Sequence, residues 1–197
     1  MNVLSISTDT KIFDVKSDAH ARQKKYAELL GRVEIIIMCR AGHGYLQAQA
    51  VEFRLIPTNS RSRRLYGWDV WQRARVLPKP DVITVQDPFE TGLIGLFISW
   101  RLGVPLHVQV HTDFKVPGFV QHSVLNRVRR IIAWQVLRYA TCIRTVSQHA
   151  VEVMHERGTD APITVLPIYI DLTKFAAIER VNHSRFKISM LYIGRLE

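Results

Sequence analysis

The sequence predicts an α/β domain with a doubly wound, mostly parallel sheet of Rossmann-like plan. Three observations predict it. Apolar or β-branched runs alternate with segments of helical length, giving seven strands. The runs at 33–39 (VEIIIMC) and 106–110 (LHVQV) read as continuous apolar strands, as in a parallel sheet covered on both faces. Residues 81–114 form a complete strand–helix–strand unit, DVITVQDPFETGLIGLFISWRLGVPLHVQVHTDF.

Within that unit, 81–86 is a strand rich in β-branched residues. Asp87 is placed to cap a helix whose first turn accommodates Pro88. The helix, 89–102, is apolar nearly all round, with Gly92 and Gly95 where close packing leaves no room for a side chain. Gly103-Val104-Pro105 ends it. The second strand, 106–110, runs into His111-Thr112-Asp113-Phe114, and polar groups just past the carboxyl end of a buried parallel strand lie where open α/β sheets bind ligands.

From the amino terminus, 3–8 (VLSIST) is the first strand, and Asp9 follows at its carboxyl end. Ser17 or Asp18 caps a helix at 19–30 that Gly31 stops. The second strand is 33–39, with a loop at 40–45. The run 51–56 alternates and is more polar, so it is expected nearer an edge. A basic loop, 59–64, leads to a helix at 65–76. After the central unit come a long helix at 123–140 and a strand at 141–146. A helix at 148–156 follows, capped by Ser147 and ended by Gly158, and then a last strand at 163–166. Domain boundaries are expected at 1–175 for this domain, 176–187 for a polar linker and 188–197 for the first strand of another domain. A strand cannot stand alone, so ISMLYIGRLE reads as the opening of a second sheet.

Lys and Arg outnumber Asp and Glu 27 to 17, a net charge of +10. That excess favours acidic partners: nucleotide phosphates, anionic lipid headgroups or nucleic acid. Two cysteines, Cys39 and Cys142, lie in apolar runs and read as buried free thiols of a reducing compartment. Met1-Asn2 leads straight into a strand, so no signal peptide is expected. No uncharged apolar run reaches the roughly 18 residues of a membrane span. There is no P-loop and no Gly-x-Gly-x-x-Gly, which weighs against ATPase and dinucleotide chemistry. The RSRR run at 61–64 has neither an aromatic stacking platform nor a helix-turn-helix beside it, so no nucleic-acid partner is expected.

Four segments together resemble the N-terminal, acceptor-side domain of GT-B fold retaining glycosyltransferases of family 4. They are the central unit, TVSQHAVEVMHERG, VLPIYIDLTKF and LYIGRLE. The third is similar to the family's "PNGVD…F" segment, with Ile168-Tyr169-Ile170 in place of Asn-Gly-Val. The last is similar to the "VGRL…EKG" opening of the nucleotide-sugar domain. Two departures stand out. Thr8-Asp9-Thr10-Lys11 occupies the place of the family's usual Gly-Gly loop, and no two glutamates have the Glu-x7-Glu spacing of the donor domain.

The resemblance implies transfer of a hexose from a nucleotide diphosphate sugar to a glycan or lipid-linked acceptor. Neither metal nor cofactor is expected, and the sequence has no Asp-x-Asp. His111 would contact the donor sugar near the reacting carbon. Gly194 and Arg195 would meet the diphosphate, for which a guanidinium fork offers paired donors. Asp171 reads as structural. Asp9, Glu90 and Asp113 are candidates for binding the acceptor, although loop or helix capping explains an acid at such positions equally well.

The helix at 123–140 suggests a further surface. At 100° per residue, Val124, Leu125, Val128, Ile131, Ile132, Val136 and Tyr139 share one arc. Arg127, Arg129, Arg130 and Arg138 occupy the other, with Trp134 and Leu137 among them. A Trp among arginines on an outward face suits an anionic membrane surface. The implied location is cytoplasmic, with peripheral attachment to the inner face of the membrane. A different class of reading is a non-catalytic module that binds acceptor or membrane and relies on a separate donor-domain chain.

Overall fold

The computed structural model describes residues 1–42, 48–49, 53–111, 114, 117–121 and 123–167. Eight strands form one sheet: β1 (Asn2–Ser7), β2 (Arg32–Ile37), β3 (Ala48–Gln49), β4 (Phe53–Pro57), β5 (Val82–Val85), β6 (Leu106–Val110), β7 (Cys142–Thr145) and β8 (Ile163–Val165). The order across the sheet is β3-β4-β2-β1-β5-β6-β7-β8. Seven strands are parallel, as the sequence predicts, and β3 runs antiparallel to β4. This two-residue strand takes the outermost place, and the third predicted strand lies beside it, near the edge as expected. A pairing of two residues leaves no periodicity to read in a sequence.

The helices are α1 (Asp18–Leu30), α2 (Tyr66–Ala74), α3 (Glu90–Leu102), α4 (Pro117–Gln121), α5 (Val124–Arg138) and α6 (Gln148–Glu156). Their starts follow from local chemistry. Ser17, Ser123 and Ser147 each accept a backbone N–H two or three residues into the helix, from His20, Asn126 and Ala150. Their ends do too. Gly103 closes α3 in the left-handed region at φ 61°, where a side chain would clash with its own backbone. Asp87 is not the residue next to α3 as expected. Its Oδ1 accepts from Phe89 N at 2.8 Å in a turn just before the helix, which begins at Glu90.

Two apolar cores lie on opposite sides of the sheet. On one side Ile83, Val85, Leu106, Val108 and Ile143 pack against α2, α3, α5 and α6. On the other, Val33, Ile35, Ile37, Phe53 and Leu55 pack against Ile12 and the Ala19 and Ala27 face of α1. Coverage of the second side stops there: among the described residues, no helix lies over it across β5–β8. The expectation of two fully covered faces therefore holds for one side and half of the other.

Helix α5 corrects the wheel. Ala133, Val136 and Leu137 are buried, whereas Val124, Leu125, Val128 and Ile131 are exposed. Trp134 does not face outward. Its ring meets the buried Phe114 edge-on at 5.2 Å, and the Arg157 guanidinium lies 5.5 Å from its centroid. Arg129 is held by Glu90 through Nε at 2.8 Å and Nη2 at 2.6 Å. The helix is rotated from its expected setting because Ala133, Val136, Leu137 and Trp134 are the residues that seat in the core, Val136 against Gly92.

Gly95 sets the distance of α3 from the sheet. A Cβ there would penetrate the Val85 Cγ1 contact shell and come within 3.2 Å of Leu106 Cδ1. At Gly92 it would lie 2.8 Å from the Asp87 carbonyl oxygen. Gly95→Ala is expected to cost about 1–3 kcal/mol of stability by overpacking, read as a lower denaturant midpoint. Gly118→Ala, where nothing lies within 4 Å, should show no such penalty.

Candidate functional site

Strand order reverses between β1 and β5, and this is where doubly wound sheets open a crevice at their carboxyl edge. A hydrogen bond spans the opening, from Ser7 Oγ to Gln86 Oε1 at 2.8 Å. Ser7 Oγ also accepts from Asp9 N at 2.9 Å, and Asp9 Oδ1 accepts from Lys11 N at 3.0 Å. Asp9 therefore shapes the loop after β1, where the family's glycines usually stand. Across the crevice, Asp87 is largely enclosed. Burial raises its carboxyl above the ordinary 3.8, against lowering by hydrogen bonds from Thr91 and Phe89. A perturbed acid at a ligand edge is a functional candidate that sequence reading saw only as a cap.

His111 stands exposed at the end of β6, at the edge that the sequence assigns to it. Its ring is held from below. His111 Nε2 donates to Gln109 Oε1 at 3.2 Å, and Gln109 Nε2 donates to Thr84 Oγ1 at 3.3 Å. Thr84 Oγ1 is also hydrogen-bonded to His107 Nδ1, at 2.8 Å. With Nε2 donating to Gln109, the neutral His111 ring presents Nδ1 as an acceptor for a hydroxyl. Burial, then Arg144, then Arg22 lower the pKa of His111 below the ordinary 6.5. Burial and Arg144 do the same for His107. Both imidazoles are uncharged at neutral pH. Phe114, buried between Phe89 and Trp134, anchors the chain three residues beyond His111.

Glu90 lies at the start of α3 but is engaged by Arg129, so it is not an open acceptor ligand in this arrangement. Arg127 Nε donates to the Val120 carbonyl at 3.3 Å. Arg138 is exposed and Arg130 half-buried. Asp113, Asp171, Gly194 and Arg195 lie outside the described residues, as do the segments 176–187 and 188–197. Cys39 is buried, as expected. Cys142 is only partly so, and both are free thiols. No described helix is long and apolar enough to cross a membrane. Sequence reading missed Thr84, His107, Gln109 and Arg144. The available signal was the alternation of polar residues within LHVQV and CIRT, which passed as apolar runs.

The fold and its carboxyl-edge crevice define a Rossmann-like α/β domain of the kind that binds ligands at a topological switch point. The model of the Glycosyl transferase 4-like domain matches residues 23–168, and the chain belongs to that family. Its fold is that of the N-terminal domain of GT-B glycosyltransferases. Solved structures agree on the fold. A sucrose-phosphate synthase segment from Thermosynechococcus elongatus superposes with a TM-score of 0.61 at 11% identity, covering 89% of this chain and 93% of that one. The fuller synthase from the same organism gives 0.58 at 11% identity, covering 88% of this chain. UDP-GlcNAc 2-epimerase from Methanocaldococcus jannaschii gives 0.53 at 14% identity, covering 84%. The chain spans 49% of the fuller synthase and 45% of the epimerase. No match was found among curated protein sequences.

Arg144→Gln removes a cation from beside both rings, so the pKa values of His107 and His111 should rise toward 6.5 in an NMR titration. No movement would show that Arg144 does not act on them. Because folding keeps both rings neutral, the unfolded chain takes up protons first as acid is added. Stability should therefore fall as pH drops below about 6.5, and less steeply in Arg144→Gln.

Proposed function

We propose that this chain is the acceptor-side half of a retaining glycosyltransferase that moves a hexose from a nucleotide diphosphate sugar to a glycan or lipid-linked acceptor. The observation that carries the reading is His111: exposed at the carboxyl edge of β6, hydrogen-bonded to Gln109, neutral, and with Nδ1 open to a sugar hydroxyl. Membership of the glycosyl transferase 4-like family supports the reaction class. In this reading Arg195 and Gly194 meet the donor diphosphate, and Arg195 offsets charge on the departing group. Asp113 and Asp9 bind the acceptor in the same reading. The reading involves no metal or cofactor. A donor domain, on this polypeptide or a separate chain, completes the cleft.

The test is transfer by the chain joined to a donor domain. His111→Ala should lower kcat by roughly 10²-fold or more, as expected for loss of a positioned polar group at a reacting centre. An unchanged kcat would refute the role. The chain alone should show no turnover, and a purely binding module would show none in any combination.

A second reading, attachment to an anionic membrane from the cytoplasmic side, rests on the exposed Val124, Leu125, Val128 and Ile131 of α5, with Arg127 and Arg138 on the same helix. Here Trp134 has no part, because it faces inward. Val128→Asp with Ile131→Asp should reduce binding to phosphatidylglycerol vesicles by about tenfold or more, whereas Arg129→Gln should have little effect because Glu90 already holds that side chain. Equal binding by all variants would dismiss the surface.

A further inference from the structure

Helix α3 has the wrong outer face for a helix in water. Between Glu90 and Arg101 its exposed positions are Leu93, Phe97 and Trp100, at 47%, 44% and 62% exposure. Every other residue between those two is buried or half-buried. A surface helix ordinarily turns polar side chains outward, and one that is apolar all round is ordinarily covered. The spacing of 93, 97 and 100 sets the three side chains in one line along the helix.

The line continues onto the neighbouring helices. The Trp100 ring meets Tyr139, at the end of α5, edge-on at 5.4 Å, and Phe97 meets Trp71 of α2 edge-on at 5.6 Å. Ten residues before Trp100, Glu90 pairs with Arg129, ten residues before Tyr139, so α3 and α5 run side by side in the same direction. The exposed Val124, Leu125 and Val128 therefore extend past the start of α3, on the carboxyl side of the sheet. Trp100 and Tyr139 lie at the opposite, amino side. The two helices thus present an apolar ridge along the height of the domain, and exposed apolar area of this extent marks a contact surface.

Charge decides what the ridge contacts. Helix α5 has no acidic residue, and the one acid of α3, Glu90, is engaged by Arg129. Arg101, Arg127 and Arg138 are exposed on the same two helices, and the Arg101 guanidinium lies 5.7 Å from the centroid of Phe97. A second copy related by a two-fold axis would set this patch against itself, cation against cation. An anionic bilayer accepts the aliphatic side chains and the arginines together, and Trp and Tyr favour its boundary with water.

We propose that α3 and α5 lie together against an anionic lipid surface, with Leu93, Phe97 and Trp100 entering it and Arg101 and Arg138 at headgroup level. This rests on the membrane reading above, and extends it from one helix to a two-helix face and to an orientation of the domain. With the helix layer down, the sheet stands about 10 Å, one helix diameter, from the surface. The carboxyl edge, where His111 is exposed, then opens along the bilayer rather than toward it or away from it. In the transfer reading, a lipid-linked acceptor reaches that edge from the side.

Cosedimentation of the full chain with vesicles of phosphatidylglycerol and phosphatidylcholine tests the contact. Binding is expected, and weakened about tenfold or more in Phe97→Ser with Trp100→Ser. Acyl chains brominated near the headgroup should quench part of the tryptophan emission, and less of it in Trp100→Phe. Loss of binding in Val128→Asp with Ile131→Asp, but full binding in the serine variant and equal quenching in Trp100→Phe, would overturn the α3 contact and leave attachment through α5 standing. No binding by the unaltered chain would remove both. A dimer in sedimentation velocity that the serine variant abolishes, without vesicle binding, would show that a second copy covers the ridge and would equally overturn the proposal. Should the serine variant fail to fold by circular dichroism, the conservative Trp100→Phe carries the test through quenching alone.

Discussion

The close approach of α3 to the sheet is the constraint on which the rest depends. It exists because Gly92 and Gly95 present no side chain to Asp87, Val85 and Leu106. With α3 seated so low, β5 and β6 are held as neighbours, the turn at Asp87 is enclosed and β6 ends at the height of the crevice. Glu90 at the head of α3 then reaches Arg129, and Val136 of α5 seats against Gly92. One pair of small residues thus sets the positions of the enclosed acid, the exposed imidazole and the long helix beyond them.

Much of this was legible in the sequence because it is local. Helix caps at Ser17, Ser123 and Ser147 need only a hydroxyl at the right step, and Gly31, Gly103 and Gly158 mark stops because of backbone freedom. The placement of His111 follows from where a buried strand ends. The rotation of α5 was not legible. A helix with aliphatic residues on much of its circumference has no single answer on a wheel, and partners distant along the chain, such as Gly92 against Val136, decide it. Nor was the polar half-face. LHVQV alternates like a strand with one wet side, but its apolar members are conspicuous enough to hide the alternation, and only the register with β5 and β7 shows that His107, Gln109, Thr84 and Arg144 share a side.

Electrostatics unite the crevice and the sheet face. A basic chain ordinarily spreads its positive charge over the surface, where water screens it. Here burial lowers the pKa of two imidazoles, and the charge of the half-buried Arg144 lowers both further. The neutrality of His111 is thus a product of the partial burial of its ring first and of the cation on the sheet beneath it second.

The ladder from His111 through Gln109 and Thr84 to His107 has one further consequence. Turning the ring over at the rim would cost it the bond to Gln109, so that bond biases the imidazole toward one orientation. A group docking at this edge meets a ring already inclined to present Nδ1.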